Sequence, residues 1–175
     1  MRRRALLAAL LLAGAGVTEP DGYRSDDYRA PTPDTLRGAI VAGTAEVRDL
    51  VARGAAVLID VLPAPRRPES MRPGMPWLPT PHRAIPGSLW LPTVGYGVIS
   101  PAAEEQLGDV LSQATAGRRD APVVFYCRAE CWMSWNAARR AVAAGWRGVV
   151  WYPEGVDGWT AAGLPTEEVQ PEPLD

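Results

Sequence analysis

The chain has 175 residues, 47% of them hydrophobic, which is one-domain length with enough apolar content for a real core and excludes a disordered chain. The formal net charge is -2 and every one of the 18 basic residues is Arg. No basic stripe or basic–aromatic interleaving is present, so nucleic acid is not an expected partner.

The first 18 residues read as a signal peptide. Arg2, Arg3 and Arg4 form a charged start, Ala5 to Ala13 an apolar stretch, and Ala13-Gly14-Ala15 a small-residue cleavage site. The apolar run is too short for a spanning helix. Export to the periplasm is therefore expected, where thiols meet oxidising conditions, with no membrane attachment after cleavage. Residues 19–35 are rich in Pro, Asp and Arg without an apolar period, and read as an extended lead-in. Residues 36–166 form the expected domain and 167–175 a polar tail.

Within that domain, Ala39 to Ala42 has the character of a short strand. Thr44 is placed to cap a helix running to about Ala52, which Gly54 ends. Ala56-Val57-Leu58-Ile59-Asp60-Val61 is almost continuously apolar, as a strand buried on both faces requires. Residues 62–86 hold eight prolines, a density that neither a helix nor a central strand tolerates, so this is a long stiff loop. Ser88 to Leu91 reads as a strand. Ser100-Pro101 opens a helix with Pro at its first position and Glu104 and Glu105 in its first turn, ending near Gly117. Pro122 to Tyr126 is a further buried strand. A helix is expected from about Ser134 to Ala144, stopped by Gly145, then a strand from Val149 to Tyr152 followed by turn residues. Such alternation predicts an α/β fold, a mostly parallel sheet with helices on both faces, in one domain.

In an open α/β sheet, ligands bind at the carboxyl ends of the strands. Cys127 occupies that place after Phe125-Tyr126, with a helix N-terminus pointing back at it. Unpaired N–H groups and the helix dipole there favour an anion, which for cysteine is the nucleophilic thiolate. Arg128 adds positive charge and Glu130 opposes it, so the loop can lower the thiol pKa. The only other cysteine, Cys131, lies four residues on, across Arg128-Ala129-Glu130. Two thiols at that spacing reach bonding distance if the backbone curls, whereas on a regular helix their geometry fits a disulfide poorly. The pair suits a catalytic or reversible disulfide better than a structural one. Soft-metal binding with Met133 or His82 as a third ligand is the alternative, although the four ligands of structural zinc are lacking. No resident cofactor or metal is expected.

The segment Phe125-Tyr126-Cys127, a short loop, Asn136-Ala137-Ala138 and Gly145-Trp146 resembles the active-site segment of rhodanese domains. Leu58-Ile59-Asp60-Val61 resembles their early strand. Ile85-Pro86-Gly87-Ser88 resembles their Ile-Pro-Gly-Ala turn, and Glu154 to Trp159 with Gly163-Leu164-Pro165 their closing segment. A narrower likeness joins Cys131-Trp132-Met133-Ser134-Trp135-Asn136-Ala137-Ala138, Trp90-Leu91-Pro92, Gly95-Tyr96-Gly97 and Trp151 to Gly155. These motifs resemble the rhodanese-like family named for a CXXCW motif and associated with PQQ-dependent catabolism. The resemblance implies a single rhodanese-like domain, exported and found with PQQ-dependent alcohol oxidation, with a quinoprotein dehydrogenase or cytochrome c system as partner.

The resemblance also implies Cys127 as nucleophile and Cys131 as a second catalytic thiol. Arg128, Ala129, Glu130, Trp132, Met133 and Ser134 form the active-site loop, with Asp60 and His82 in support. Several positions depart from the rhodanese pattern. Trp132 and Met133 stand where a basic or small polar residue helps hold an anionic substrate, and the loop is one residue longer. Met133 also occupies the sixth position after Cys127, where a related phosphatase group needs Arg, which argues against phosphoryl chemistry. Leu62 replaces the Arg after the early strand, and His82 lies three residues ahead of Ile85 instead of directly before it. Trp132 either walls the thiol pocket or packs in the core; Trp135 packs; Asp60 serves as a hydrogen-bond acceptor beside the site. The expected reaction is sulfur transfer through a Cys127 persulfide, from a sulfur donor to an acceptor thiol. The alternatives are dithiol–disulfide exchange, or a non-catalytic role as a partner of, or metal carrier for, the quinoprotein dehydrogenase system.

Overall fold

The computed structural model describes residues 16–174; the charged and apolar start of the expected signal peptide lies outside them. Seven strands and four helices follow in the order β1 (Ile40–Val41), α1 (Thr44–Ala52), β2 (Val57–Asp60), β3 (His82–Ala84), β4 (Ser88–Trp90), α2 (Pro101–Ala114), β5 (Val123–Tyr126), α3 (Trp132–Ala143), β6 (Val149–Tyr152), α4 (Gly155–Ala161) and β7 (Glu167–Val169). Five strands form a wholly parallel sheet in the order β1-β6-β5-β2-β4, while β3 and β7 make a separate antiparallel pair.

The apolar runs explain why β5 and β6 are central. All four residues of each are buried, as a strand covered on both faces demands. Alternate residues feed two cores. Ile59, Val123, Phe125, Val149 and Trp151 pack on one face with Leu107 and Leu111 of α2 and with Trp135 and Ala138 of α3. Leu58, Val124, Tyr126, Val150 and Tyr152 pack on the other with Val47 of α1 and Trp159 of α4. The expected α/β architecture is therefore present, with helices on both faces.

Four local expectations are corrected. Gly43, not Thr44, precedes α1; Thr44 is its first residue, and its hydroxyl bonds the Tyr152 hydroxyl at 2.7 Å. Helix α3 begins at Trp132, two residues before the expected Ser134, directly after the extended Cys131. The turn residues after Tyr152 include helix α4. The proline-rich stretch and the polar tail are not both structureless: each contributes a strand, β3 and β7, that pair with one another. Beyond β7 the chain continues along β4, where the Glu172 amide donates to the Trp90 carbonyl at 2.8 Å. The Gln106 amide on α2 then donates to the carbonyls of Glu172 and Pro173.

The segment ahead of β1 is fastened to α3. Asn136, fully buried, accepts from the Arg24 amide at 3.0 Å and donates to the Arg24 carbonyl at 2.8 Å and the Gly95 carbonyl at 2.9 Å. The indoles of Trp132 and Trp135 donate to the carbonyls of Pro31 and Thr35, each at 3.1 Å. Among the described residues no helix is long and apolar enough to cross a membrane.

Candidate active site

Cys127 follows the last residue of β5 and is fully buried. Its position is fixed through the backbone. The Tyr126 carbonyl accepts from the Val61 amide at 3.0 Å, and the Cys127 carbonyl accepts from the Val156 amide at 2.9 Å. Gly155 permits that second contact. Its φ is +55°, and a Cβ there would lie 2.5 Å from the Cys127 carbonyl oxygen, inside any allowed separation. The glycine of the Glu154-Gly155 pair is therefore required by close approach to the cysteine loop as well as by its own dihedral.

Residues 128–130 turn the chain through Glu130, which has a φ of +50°. Cys131 then forms an antiparallel bridge with Arg29 of the lead-in and immediately precedes α3. The backbone curl carries Cys127 and Cys131 to a Cα–Cα distance of 6.3 Å, and the two are joined by a disulfide. Cys131 is also buried, at 3% exposure. The bond forms because Cys131 stays extended, in the position preceding the helix; on a helical turn the two side chains would run too nearly parallel.

Other expected loop residues converge here. The Ser134 hydroxyl donates to the Cys131 carbonyl at 3.0 Å and accepts from the Trp151 indole at 3.1 Å. The Trp132 amide, first of α3, donates to the Tyr28 carbonyl at 3.0 Å. Trp132 and Met133 are both buried in the α2–α3 core, so Trp132 packs against the disulfide's own core and is tied to the lead-in. Trp135 packs, as expected. Arg128 does not reach back over the thiol pair. It forms an ion pair with Asp157 of α4, Nη2 to Oδ1 at 3.2 Å, and the same carboxylate accepts from the Ala129 amide at 3.1 Å.

Asp60 and His82 form a pair of their own. Asp60 stands in register with Tyr126 on the neighbouring strand, so its side chain belongs to the face opposite the Phe125 side. Its Oδ1 accepts from the Leu62 amide and its Oδ2 meets His82 Nε2, each at 2.8 Å. Burial pushes the Asp60 carboxyl above its ordinary value, and the His82 hydrogen bond opposes that shift. The His82 ring lies 4.2 Å from that of Trp90, and both line a cleft of about 330 Å³ with Pro79, Pro81 and Pro171. Asp60 and His82 thus form a pair that joins the end of β2 to β3, and neither has a side-chain hydrogen bond to residues 127–131. Tyr126, whose hydroxyl accepts from the Ile85 amide at 3.0 Å and bonds Ser88 Oγ at 2.6 Å, ties the Ile-Pro-Gly turn to β5. Burial holds its phenol well above the ordinary range.

Sequence reasoning did not reach Asp157, Asn136 or the role of the lead-in. One signal pointed to the last: buried indoles need acceptors, and the Trp132-Met133-Ser134-Trp135 run has no carbonyl of its own helix free at its start.

A family profile described as Rhodanese-like domain matches residues 43–162. The chain belongs to the rhodanese-like family. The match runs from α1 through α4; it takes in four of the five strands of the parallel sheet, leaving out β1, and includes both cysteines. Among solved structures, an EanB variant in complex with ergothioneine is similar at 18% identity and a TM-score of 0.53, over 82% of this chain and 34% of that one. The Alr3790 protein of Anabaena sp. is similar at 16% identity and a TM-score of 0.47, over 73% of this chain and 80% of that one. A thiosulfate sulfurtransferase of Pseudomonas aeruginosa shows 21% identity and a TM-score of 0.48, over 78% of this chain and 21% of that one. No curated protein matches the chain significantly in sequence.

The site holds a two-electron acceptor, the disulfide, and no free thiol among the described residues. Reduction would yield a dithiol at the head of a buried helix. No group of three or more His, Cys, Asp and Glu side chains gathers as a metal site among the described residues.

Proposed function

We propose that the protein is a thiol-dependent sulfur-transfer protein in which Cys127 is the nucleophile and Cys131 resolves the product. The reading rests on one observation, the disulfide between these residues across the rhodanese-like loop. In the reduced protein, the Cys127 thiolate attacks the outer sulfur of a sulfane-sulfur donor, forms a persulfide and expels the donor's remaining thiolate or sulfite. The Cys131 thiolate then attacks Cys127 Sγ, the S–S bond of the persulfide breaks, and hydrosulfide leaves as the disulfide forms. The dithiol loses two electrons and the transferred sulfur gains them, so each further cycle needs an external dithiol as reductant.

Substituting Cys131→Ser tests this reading, because it removes the resolving thiol and should trap the persulfide. Intact-mass measurement after treating the reduced variant with a panel of sulfane donors should show a gain of one sulfur atom on Cys127. Absence of any such gain with every donor rejects sulfur transfer.

Dithiol–disulfide exchange is the second reading, favoured by the same disulfide and by the absence of a third cysteine to pair with. We further propose that the protein is exported to the periplasm, and that it serves a PQQ-dependent alcohol oxidation system, with a quinoprotein dehydrogenase or cytochrome c as partner. The start of the sequence supports export. The Trp directly after Cys131 and the Trp-Tyr-Pro-Glu-Gly run support the narrower family. Three residues separate the cysteines here, against two in the motif for which that family is named. Fractionation of the native host and capture of periplasmic partners, with wild type and Cys127→Ala in parallel, test both proposals.

A further inference from the structure

An anion arriving at a cysteine loop is held by unpaired backbone N–H groups and by nearby guanidinium groups. Here the Arg128 guanidinium and two of the amides, those of Ala129 and Trp132, already have an acceptor from the chain itself. Asp157 projects from α4 onto the loop. One of its oxygens accepts from the Ala129 amide at 3.1 Å, and both accept from Arg128 Nε, at 3.2 and 3.3 Å. Arg128 Nη2 lies 3.2 Å from the same carboxylate. The first amide of α3, on Trp132, is taken by the Tyr28 carbonyl. The other charged side chains of the loop and its bridging strand are Glu130 and Arg29, and neither appears among the side-chain hydrogen bonds of the described residues.

We infer that Asp157 is a specificity-determining residue: it occupies the Arg128 guanidinium and the Ala129 amide and biases the site against anionic sulfur substrates, in favour of neutral or cationic thiols. This rests on the reading of Cys127 and Cys131 as the reacting pair. In chemical terms, the partner that delivers or removes sulfur is a thiol or persulfide without negative charge near its sulfur, rather than a thiosulfate-like dianion. Arg128 is the corollary. Its guanidinium would attract an anion, but Asp157 lies 3.2 Å from it and offsets its charge at a partly exposed position.

The disulfide form allows a direct test with three thiols of similar size: cysteamine (cationic), 2-mercaptoethanol (neutral) and 2-mercaptoethanesulfonate (anionic). In each case one thiolate attacks a sulfur of the Cys127–Cys131 bond and releases the other cysteine as a thiolate. A second thiolate then attacks the resulting mixed disulfide, so two thiols are oxidised to their disulfide and the protein disulfide is reduced to the dithiol. Rate constants are corrected for the thiolate fraction of each reagent. The Asp157→Asn substitution removes the charge and keeps the shape; Asp157→Ala removes the acceptor as well. Asp120→Asn changes net charge equally, but lies before the start of β5 and so at the opposite end of that strand from Cys127. Thermal melts confirm that each variant is folded.

The expected result is a rise of about three- to tenfold in the anionic-to-cationic rate ratio for both Asp157 variants, and no change for Asp120→Asn. An unchanged ratio in the Asp157 variants overturns the inference, as does an equal rise in Asp120→Asn. Failure of the sulfur-transfer reading would be seen separately, as no persulfide with any donor.

Discussion

The Trp132 indole donates to the Pro31 carbonyl at 3.1 Å, 101 residues away in sequence. The residue directly after Cys131 is thereby bound to the lead-in, and the disulfide loop is sandwiched between that lead-in and α4. Arg24 adds a cation–π contact, its guanidinium carbon 5.4 Å from the Trp132 ring centroid.

This arrangement makes Asn136 the keystone of the lead-in. Replacing it by Ala removes three hydrogen bonds from a fully buried side chain, which should cost about 2–4 kcal/mol. Trypsin cleavage after Arg24 and Arg29 should quicken at least about tenfold relative to wild type, since each 1.4 kcal/mol is a factor of ten. Mass mapping of the early fragments checks this; unchanged cleavage would mean that the lead-in is held by other contacts.

Gly155→Ala should be disruptive. The substitution meets both a positive φ and the Cys127 carbonyl, so a loss of about 1–3 kcal/mol is expected. The local consequence is more telling than the global one. The Val156 amide bond to Cys127 should break, and the rate of disulfide reduction by dithiothreitol should change more than in an equally destabilised variant elsewhere. Val156→Ala, which leaves the backbone bond in place, serves as the comparison.

Asp60 predicts a pH signature. Its carboxyl is raised above its ordinary value by burial, so the native state holds the proton more tightly than the unfolded chain. Stability from this group is fully present below the unfolded pKa, near 3.8, and is lost as pH rises through the higher native value. Urea unfolding across that range should therefore show the Asp60→Asn variant losing less stability with rising pH than wild type. Parallel curves for the two proteins would contradict the assignment.

The carboxyl-terminal segment is a structural part of the domain. Ending the chain after Pro165 removes β7, the partner of β3 that carries His82, and the acceptors of Gln106. A fall in Tm of roughly 5–10 °C is expected, corresponding to a few kcal/mol at this size. Faster proteolysis within residues 62–84 should accompany it.

Those contacts separate what the sequence revealed from what it hid. Val123 to Tyr126 and Val149 to Tyr152 are apolar at every position, so their burial in a parallel sheet followed from composition alone. Cys127 is readable as a candidate because it directly follows such a strand. Its pairing with Cys131 remained one of several possibilities, because it depends on the curl at Glu130 and on the extended conformation of Cys131. The partners of those residues come from far along the chain. Asp157, Asn136 and Pro31 carry no periodic signal, and polar or proline-rich stretches such as 19–35 and 167–175 look solvent-facing until an indole or amide elsewhere needs their carbonyls. Helix α4 was missed for a related reason: Gly155 and Gly158 disguise a short helix whose Trp159 packs on the Tyr126 face of the sheet.

The central claim is that Cys127 and Cys131 act in sequence, and stoichiometry tests it most directly. The fully reduced wild-type protein is mixed with a neutral persulfide donor in the absence of other thiols, and sulfide release and disulfide formation are counted together. One sulfide per Cys127–Cys131 disulfide formed, with neither product from Cys127→Ala, is the predicted result. Disulfide formation without sulfide, or sulfide release that persists in Cys127→Ala, would contradict it.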